Sequence, residues 1–142
     1  MLLREGDQVK QVLIDTDILS LFFRKDSLVV AHFKEYLKQY DKINISIITY
    51  YEILSGLKHK NAEKQLDSFF EFVGYNSVLP LTEESAAISS DLYAELRKTG
   101  KQLDDIDILI AGIALSNGMM LVTRNTKHFD RIESLKIIDW SK

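Results

Sequence analysis

The 142-residue chain contains no cysteine, and this absence limits both its covalent chemistry and its metal chemistry. Without cysteine there is no disulfide and no thiolate metal site, so a bound metal has to use carboxylate, amide or imidazole ligands. The same absence is typical of proteins of the reducing cytoplasm. Proline occurs once and glycine six times, which leaves no composition for a long flexible linker. We therefore expect one compact domain over residues 1–142.

An excess of positive charge and long apolar runs are also missing. The chain has 18 Lys and Arg against 21 Asp and Glu, a formal net charge of -3. This balance excludes the broad basic surface that drives non-specific nucleic-acid binding, so such binding would need a local patch or a metal. No segment approaches the length of a membrane helix, and "MLLREGDQVK" carries charges where a signal peptide needs an apolar stretch. We expect neither secretion nor membrane insertion.

Five short apolar segments predict strands. They are "VLI" (12–14), "INISII" (43–48), "SVLPL" (77–81), "MLVT" (120–123) and "KIID" (136–139). Helical periodicity fills the stretches between them, and strands that alternate with helices indicate crossover connections and a parallel sheet. The predicted fold class is therefore α/β, with three α/β/α layers around a mostly parallel sheet of about five strands. The "VLI" run predicts a central strand, and Pro80 favours an edge position or a strand end for the third.

Small polar residues precede three of the helical patterns and predict where those helices begin. Ser27 precedes the pattern over 28–40, Asn61 precedes 62–73, and Thr82 precedes 83–100. Side-chain oxygens at this position accept hydrogen bonds from the free N–H groups of the first helical turn. We therefore expect these three residues to be N-caps.

Polar side chains follow the strand segments at one end. Asp15 ends the first strand, Glu52 lies in the first turns of the helix after the second, Asp107 opens the helix before the fourth, and Asn125 follows the fourth. In open parallel sheets, sites form beyond the carboxyl ends of the strands. We therefore expect these four side chains to meet at one edge of the sheet.

Carboxylates that meet without basic partners repel each other, which is costly unless a cation neutralises them. Oxygen ligands without cysteine favour Mg²⁺ or Mn²⁺ over Zn²⁺. Such an ion activates water and polarises a phosphoryl oxygen, as hydrolysis of a phosphodiester requires. We assign Asp15 and Asp107 to direct coordination, and Glu52 to coordination or to orientation of the water. Asn125 would form a hydrogen bond at the rim.

The segments "VLIDTDIL", "ITYYEILSG", "DIDILIAGIAL" and "LVTRNTKHF" resemble, in order and spacing, the PIN-domain family and specifically the VapC-type toxin ribonucleases. The resemblance extends from the first strand to "IIDW". It implies a single PIN-like domain and metal-dependent endonucleolytic cleavage of RNA. It also implies a homodimer and a cognate antitoxin whose tail enters the site, as in a type II toxin–antitoxin pair.

Residue by residue, the resemblance matches Asp15, Glu52 and Asp107 to the three acids of the family. Thr123 matches a hydroxyl residue after the fourth strand, which we expect to contact the substrate together with Arg124. Asn125 stands where many members carry a fourth acid. The number of bound ions stays open.

Neighbouring acids offer alternatives at two of these positions. Asp17 is a possible ligand, but a residue at a helix start more often caps backbone N–H groups, and we favour the cap. Asp104 and Asp105 precede a helix, where acids are common because of the helix dipole. We favour Asp107 because it leads directly into the apolar face of that helix, with Asp105 as its rival.

Two other functions fit parts of the pattern. A strand that ends in Asp-x-Asp also begins haloacid-dehalogenase-type phosphatases, in which the first Asp is a nucleophile, but Leu19 stands where that motif has Thr or Val, and Glu52 would have no role. A catalytically silent PIN-like interaction module would be expected to have lost its acids, whereas Asp15, Glu52 and Asp107 are all present.

Overall fold

The structure, a computed structural model, describes residues 10–142. Five strands form one sheet: β1 Val12–Ile14, β2 Asn44–Ser46, β3 Ser77–Leu79, β4 Met120–Val122 and β5 Ile137–Ile138. Helices occupy the intervening segments: α1 Thr16–Phe23, α2 Ser27–Tyr36, α3 Ile47–His59, α4 Glu63–Tyr75, α5 Glu83–Lys98, α6 Asp105–Ser116 and α7 Thr126–Phe129. The predicted α/β fold class is confirmed.

The strand order is β3-β2-β1-β4-β5, and every neighbouring pair is parallel. β1 is central, as its apolar sequence predicts, and pairs with β4 in the register Leu13 to Leu121. β3 lies at an edge and ends at Leu79, directly before Pro80. Because all strands run in one direction, their carboxyl ends lie along a single edge of the sheet.

Two buried apolar clusters lie on opposite faces of the sheet. In β1 the side chain of Leu13 packs with α5 and α6, whereas those of Val12 and Ile14 pack with α1, α2 and α4. This alternation is what a strand imposes on successive side chains. Helices therefore cover both faces, which gives the three predicted layers.

The second strand is shorter than predicted. Ile47 and Ile48 of the "INISII" segment belong to α3, because Ser46 ends β2 and caps the helix, its Oγ accepting from the Thr49 N–H at 3.0 Å. The helix thus begins directly at the carboxyl edge of the sheet. Glu52 consequently lies in its second turn, close to the end of β1.

Of the three predicted caps, only Thr82 is confirmed; it forms a reciprocal capping box with Ser85. The cap of α2 is Asp26 rather than Ser27, its carboxylate accepting from the Val29 N–H at 3.1 Å. The N-cap position of α4 is Ala62, because Asn61 takes a left-handed conformation with φ of 52°. Within residues 10–142, no helix combines the length and apolar character needed to cross a bilayer.

Candidate active site

Asp15 lies where β1 passes into α1, and hydrogen bonds of its backbone and of its carboxylate hold it there. Its N–H donates to the carbonyl of Val122 in β4 at 2.9 Å. One carboxylate oxygen accepts from the Thr16 N–H at 2.9 Å, and the other accepts from the Thr123 hydroxyl at 2.8 Å. The residue is only 7% exposed. The carboxylate is therefore buried in a defined orientation at the edge of the sheet.

Thr123 connects this carboxylate to the loop after β4. Its hydroxyl donates to Asp15 and accepts from the Asn125 N–H at 3.0 Å. The side chain has no exposed surface, so it cannot touch a substrate directly. The assignment of Thr123 to substrate contact is therefore replaced by one in which it positions Asp15 and the Asn125 loop.

Glu52 is half-buried and bonded to α1. Its Oε1 accepts from the Thr16 hydroxyl at 2.6 Å, and the hydroxyls of Thr16 and Thr49 lie 3.0 Å apart. Thr16 is thus bonded to Asp15 through its backbone and to Glu52 through its side chain. This residue, which the sequence reasoning did not single out, orients two of the predicted acids together.

Asp107 lies in the first turn of α6, and its half-buried side chain lines the same cleft as Asp15 and Glu52. Its rivals Asp104 and Asp105 are exposed and do not line the cleft. The geometry therefore favours Asp107 as the third acid.

Asp17 is not the cap that we favoured. The N-cap of α1 is Asp15, and Asp17 lies inside the first turn, where its side chain lines the cleft. Its Oδ1 is buried and has no hydrogen-bond partner within the described part of the chain. A buried, unpartnered carboxylate oxygen is unfavourable unless it meets a positive group.

The cleft has a volume of about 590 Å³. Its polar lining consists of acids, hydroxyls, Asn125 and two arginines: Asp15, Thr16, Asp17, Ser20, Arg24, Glu52, Asp107, Arg124 and Asn125. Sequence reasoning missed Thr16 and Ser20. Their spacing of four residues places them on one side of α1, and this polar stripe was the available signal.

Three of the acids that line the cleft have raised pKa values. Burial, followed by the charge of Asp17, raises the pKa of Asp15 to about 7, although the Thr123 hydrogen bond lowers it. Burial, then Asp104 and Glu52, raises the pKa of Asp107, and His128 partly opposes this rise. Burial also raises the pKa of Asp17, while the backbone N–H of Arg124 lowers it.

These observations fit a hard divalent cation, since the available ligand atoms are all oxygens and one buried carboxylate oxygen lacks a partner among residues 10–142. In the described residues, however, no three Asp, Glu or His side chains are spaced as ligands around one ion. The acids instead line the walls of the cleft. Asp15, Glu52 and Asp107 are the residues available to hold it.

The PIN-domain family model matches residues 12–135. The chain is 32% identical over 131 residues to Ribonuclease VapC1 of Methanocaldococcus jannaschii, covering 91% of this chain and 88% of the relative. It is 35% identical over 101 residues to the tRNA(fMet)-specific endonuclease VapC of Shigella flexneri, covering 70% and 76%.

Among solved structures, DNA-bound VapBC from Salmonella typhimurium superposes with a TM-score of 0.82 at 28% identity, over 93% of this chain and 99% of that chain. VapBC-1 from nontypeable Haemophilus influenzae gives a TM-score of 0.79 at 28% identity, over 92% and 98%. The family match, the relatives and the sheet with its acidic edge agree, and the chain belongs to the PIN-domain family, within which it groups with the VapC ribonucleases.

Proposed function

We propose that this protein is a Mg²⁺- or Mn²⁺-dependent endoribonuclease and the toxin of a type II toxin–antitoxin pair. The observation that carries the proposal is the cleft at the carboxyl edge of a PIN-domain sheet, lined by Asp15, Glu52 and Asp107. Relatives named as VapC ribonucleases support the reaction class. We propose that the chain acts as a single PIN-like domain over residues 1–142.

Asp15, Asp107 and Glu52 would hold the ion, which when bound supplies an activated water and polarises the phosphoryl group of the RNA. Asp15 contributes a carboxylate whose orientation is set by Thr16 and Thr123. Glu52 is kept facing the cleft by the Thr16 hydroxyl, so it is available to orient a proton of the attacking water.

Arg124 and Asn125 follow β4 and complete the opposite rim. The exposed Arg124 side chain supplies positive charge for a phosphate oxygen, and the half-exposed Asn125 supplies an amide for a hydrogen bond to the RNA. The backbone of the loop is fixed by the bond from the Asn125 N–H to Thr123. These two residues are proposed to bind the RNA rather than the ion.

The proposed partners are RNA, a cognate antitoxin and a second copy of the chain. The antitoxin is supported by the structural neighbours, which are VapBC structures rather than VapC alone. We place the protein in the cytoplasm, because an RNA substrate and such a partner are found there.

A phosphatase with an Asp nucleophile is not favoured, since the relatives are ribonucleases and Glu52 has a place in the cleft. A silent interaction module is not favoured either, because the three acids line one cleft.

Cleavage assays with single carboxylate variants test the proposal. We expect Asp15→Asn and Asp107→Asn each to reduce cleavage of a structured RNA in Mn²⁺ by about 100-fold or more, because each loses a charged oxygen of the ion site. EDTA should abolish cleavage by the parent. The readout is the initial rate on a gel with end-labelled RNA.

Asp105→Asn is the matched control, since it removes the same charge two residues from Asp107 but outside the cleft. Its rate should stay within about twofold of the parent. Loss of cleavage in Asp105→Asn with retention in Asp107→Asn would reverse the third assignment. Cleavage that persists in Asp15→Asn would contradict the proposed function.

A further inference from the structure

A second cavity of about 690 Å³ continues from the cleft between α1, α3 and α4. We call it the α3–α4 groove. It shares Thr16, Ser20, Arg24 and Glu52 with the cleft, so the two cavities form one continuous depression. A molecule bound at the acids can therefore extend into the groove.

The walls of the groove are largely apolar. Phe23 comes from α1, Ile53 and Leu57 from α3, and Phe69 from α4. Phe69 is almost fully buried, and Phe23 is half-buried. Such a surface suits the faces of bases or the carbon side of riboses, since stacking on aromatic rings is sequence-tolerant.

The rim carries positive charge in a chain that is acidic overall. Arg24, Lys60 and Lys64 line the groove, and all three side chains are exposed. Of the described residues that line the groove, Glu52 is the sole acid, and it lies at the end shared with the cleft. The charge thus changes from negative at the cleft to positive along the groove.

We propose that the α3–α4 groove binds the single-stranded RNA segment adjoining the cleavage site, with phosphates along Arg24, Lys60 and Lys64. The inference rests on the proposed ribonuclease function and adds the path of the substrate. A phosphodiester at the acids belongs to a polymer that must leave the cleft, and the groove is the continuation that offers cations beside an apolar wall. Arg24, which lines both cavities, lies where the strand passes from one to the other.

Gly56 provides a way to close the groove without touching the acids. It lies on α3 and lines the groove, and a Cβ at this position meets no atom of the described residues within 4 Å. A larger side chain there would fill space that the RNA requires. Gly74 on α4 is the matched control, because it is also exposed with nothing within 4 Å and does not line the groove.

Binding is measured in proteins that also carry Asp15→Asn, so that the RNA is not cut. The probe is a fluorescein-labelled single-stranded RNA of about 15 nucleotides, the upper range of known single-strand site sizes. By fluorescence anisotropy, we expect Gly56→Leu to raise the Kd about tenfold and Gly74→Leu to leave it within about twofold. Circular dichroism melts should give unfolding temperatures for both variants no lower than that of the Asp15→Asn protein, since Leu favours a helix over Gly.

The double variant Lys60→Ala/Lys64→Ala tests the charges. We expect the slope of log K against log salt to decrease by about 1.4, because each phosphate contact on a single strand contributes about 0.7. Lys34→Ala/Lys98→Ala removes two exposed lysines outside the groove and should leave the slope unchanged.

The proposal would be overturned if Gly56→Leu and Gly74→Leu bound RNA with equal affinity and the salt slope of Lys60→Ala/Lys64→Ala were unchanged. The groove would then be a candidate binding site for a protein partner. That result is distinguishable from failure of the ribonuclease function. In the latter case the unsubstituted protein itself would neither cleave nor bind RNA.

Discussion

Asp15 shows how one residue serves both the backbone and the site. It is the N-cap residue of α1, its carboxylate accepts one hydrogen bond from the Thr16 N–H, and it accepts a second from Thr123. Both bonds stabilise the charged carboxylate, yet its burial and the nearby Asp17 destabilise that form more, and the pKa rises to about 7. Between these two pKa values, the Asp15 carboxyl therefore keeps its proton in the folded protein, whereas the unfolded chain has released it at its ordinary pKa of 3.8.

This difference predicts a pH dependence of stability in metal-free buffer. Between about pH 4 and 7 the folded state binds more protons than the unfolded state, so the free energy of unfolding falls as the pH rises. The free energy of unfolding of Asp15→Asn should depend less on pH. At pH 7 this variant should be up to about 4 kcal/mol more stable than the parent, because each unit of pKa shift corresponds to about 1.4 kcal/mol. Urea denaturation of both proteins at several pH values measures this difference in the free energy of unfolding. A parent whose stability increases over this range would contradict the prediction.

The parent and Asp15→Asn also test whether Asp15 binds the ion. Mn²⁺ that binds the folded state alone should stabilise the parent by about 2.7 kcal/mol at a hundredfold excess over Kd. The gain should be much smaller in Asp15→Asn, because a ligand oxygen has lost its charge. Thermal melts with and without Mn²⁺ give both values. Equal shifts in the two proteins would exclude Asp15 from the ion site and leave it only as a helix cap.

At the scale of the elements, close packing against α5 helps to set the position of α6. Gly112 faces α5 so closely that a Cβ would lie 1.9 Å from the Ser89 Oγ and 2.6 Å from the Ser85 carbonyl oxygen. The Ser89 hydroxyl also donates to the Ile108 carbonyl of α6 at 2.9 Å. Because Asp107 lies on the first turn of the same helix, this contact helps to set where the third acid lies.

Gly112→Ala should therefore destabilise the protein. The Ser89 side chain can rotate away, but the Ser85 carbonyl is backbone, so the two helices must separate. We expect a loss of about 1–3 kcal/mol in the free energy of unfolding. Urea denaturation measures it, with Gly74→Ala as the control, which should be neutral or slightly stabilising because its Cβ meets open space. A neutral Gly112→Ala would show that α5 and α6 adjust without cost.

At the scale of the whole molecule, the parallel sheet brings acids from α1, α3 and α6 to one edge. The helices that cover the two faces of the sheet form the outer surface, where a partner would bind. Ile47 and Tyr51 lie one turn apart on α3, and both are exposed. Interface centres are enriched in such apolar and aromatic side chains. We propose that these two residues belong to the contact between two copies of the chain.

Sedimentation equilibrium should give twice the mass of one chain. Tyr51→Arg should raise the dissociation constant of the dimer about tenfold or more, because it places a charge in an apolar contact. Tyr75→Arg is the control, since Tyr75 is the more exposed tyrosine and lies on α4. A monomeric parent, or equal effects of both substitutions, would contradict this contact.

Much of the fold and part of the site follow from the sequence alone. The apolar "VLI" run, the alternation of strands with helices and Pro80 after the third strand determine a parallel sheet with β1 central and β3 at the edge. Asp15 falls at the carboxyl edge for the same reason, because in a parallel sheet the end of a strand fixes the edge to which the next residue belongs. The caps of α2 and α4 were predicted wrongly, because neighbouring polar residues such as Asp26 and Ser27 satisfy the same local rule.

The tertiary structure alone decided which side chains cooperate at that edge. Thr16 bonds Glu52 across 36 residues and Thr123 bonds Asp15 across 108, and no local pattern encodes such pairs. The Asp17 oxygen that lacks a partner in the described part of the chain, and the burial of Thr123, both depend on which way each side chain points once the helices have packed. Periodicity and strand ends are local properties that a sequence displays, whereas burial and hydrogen-bond partnership arise only when distant elements meet.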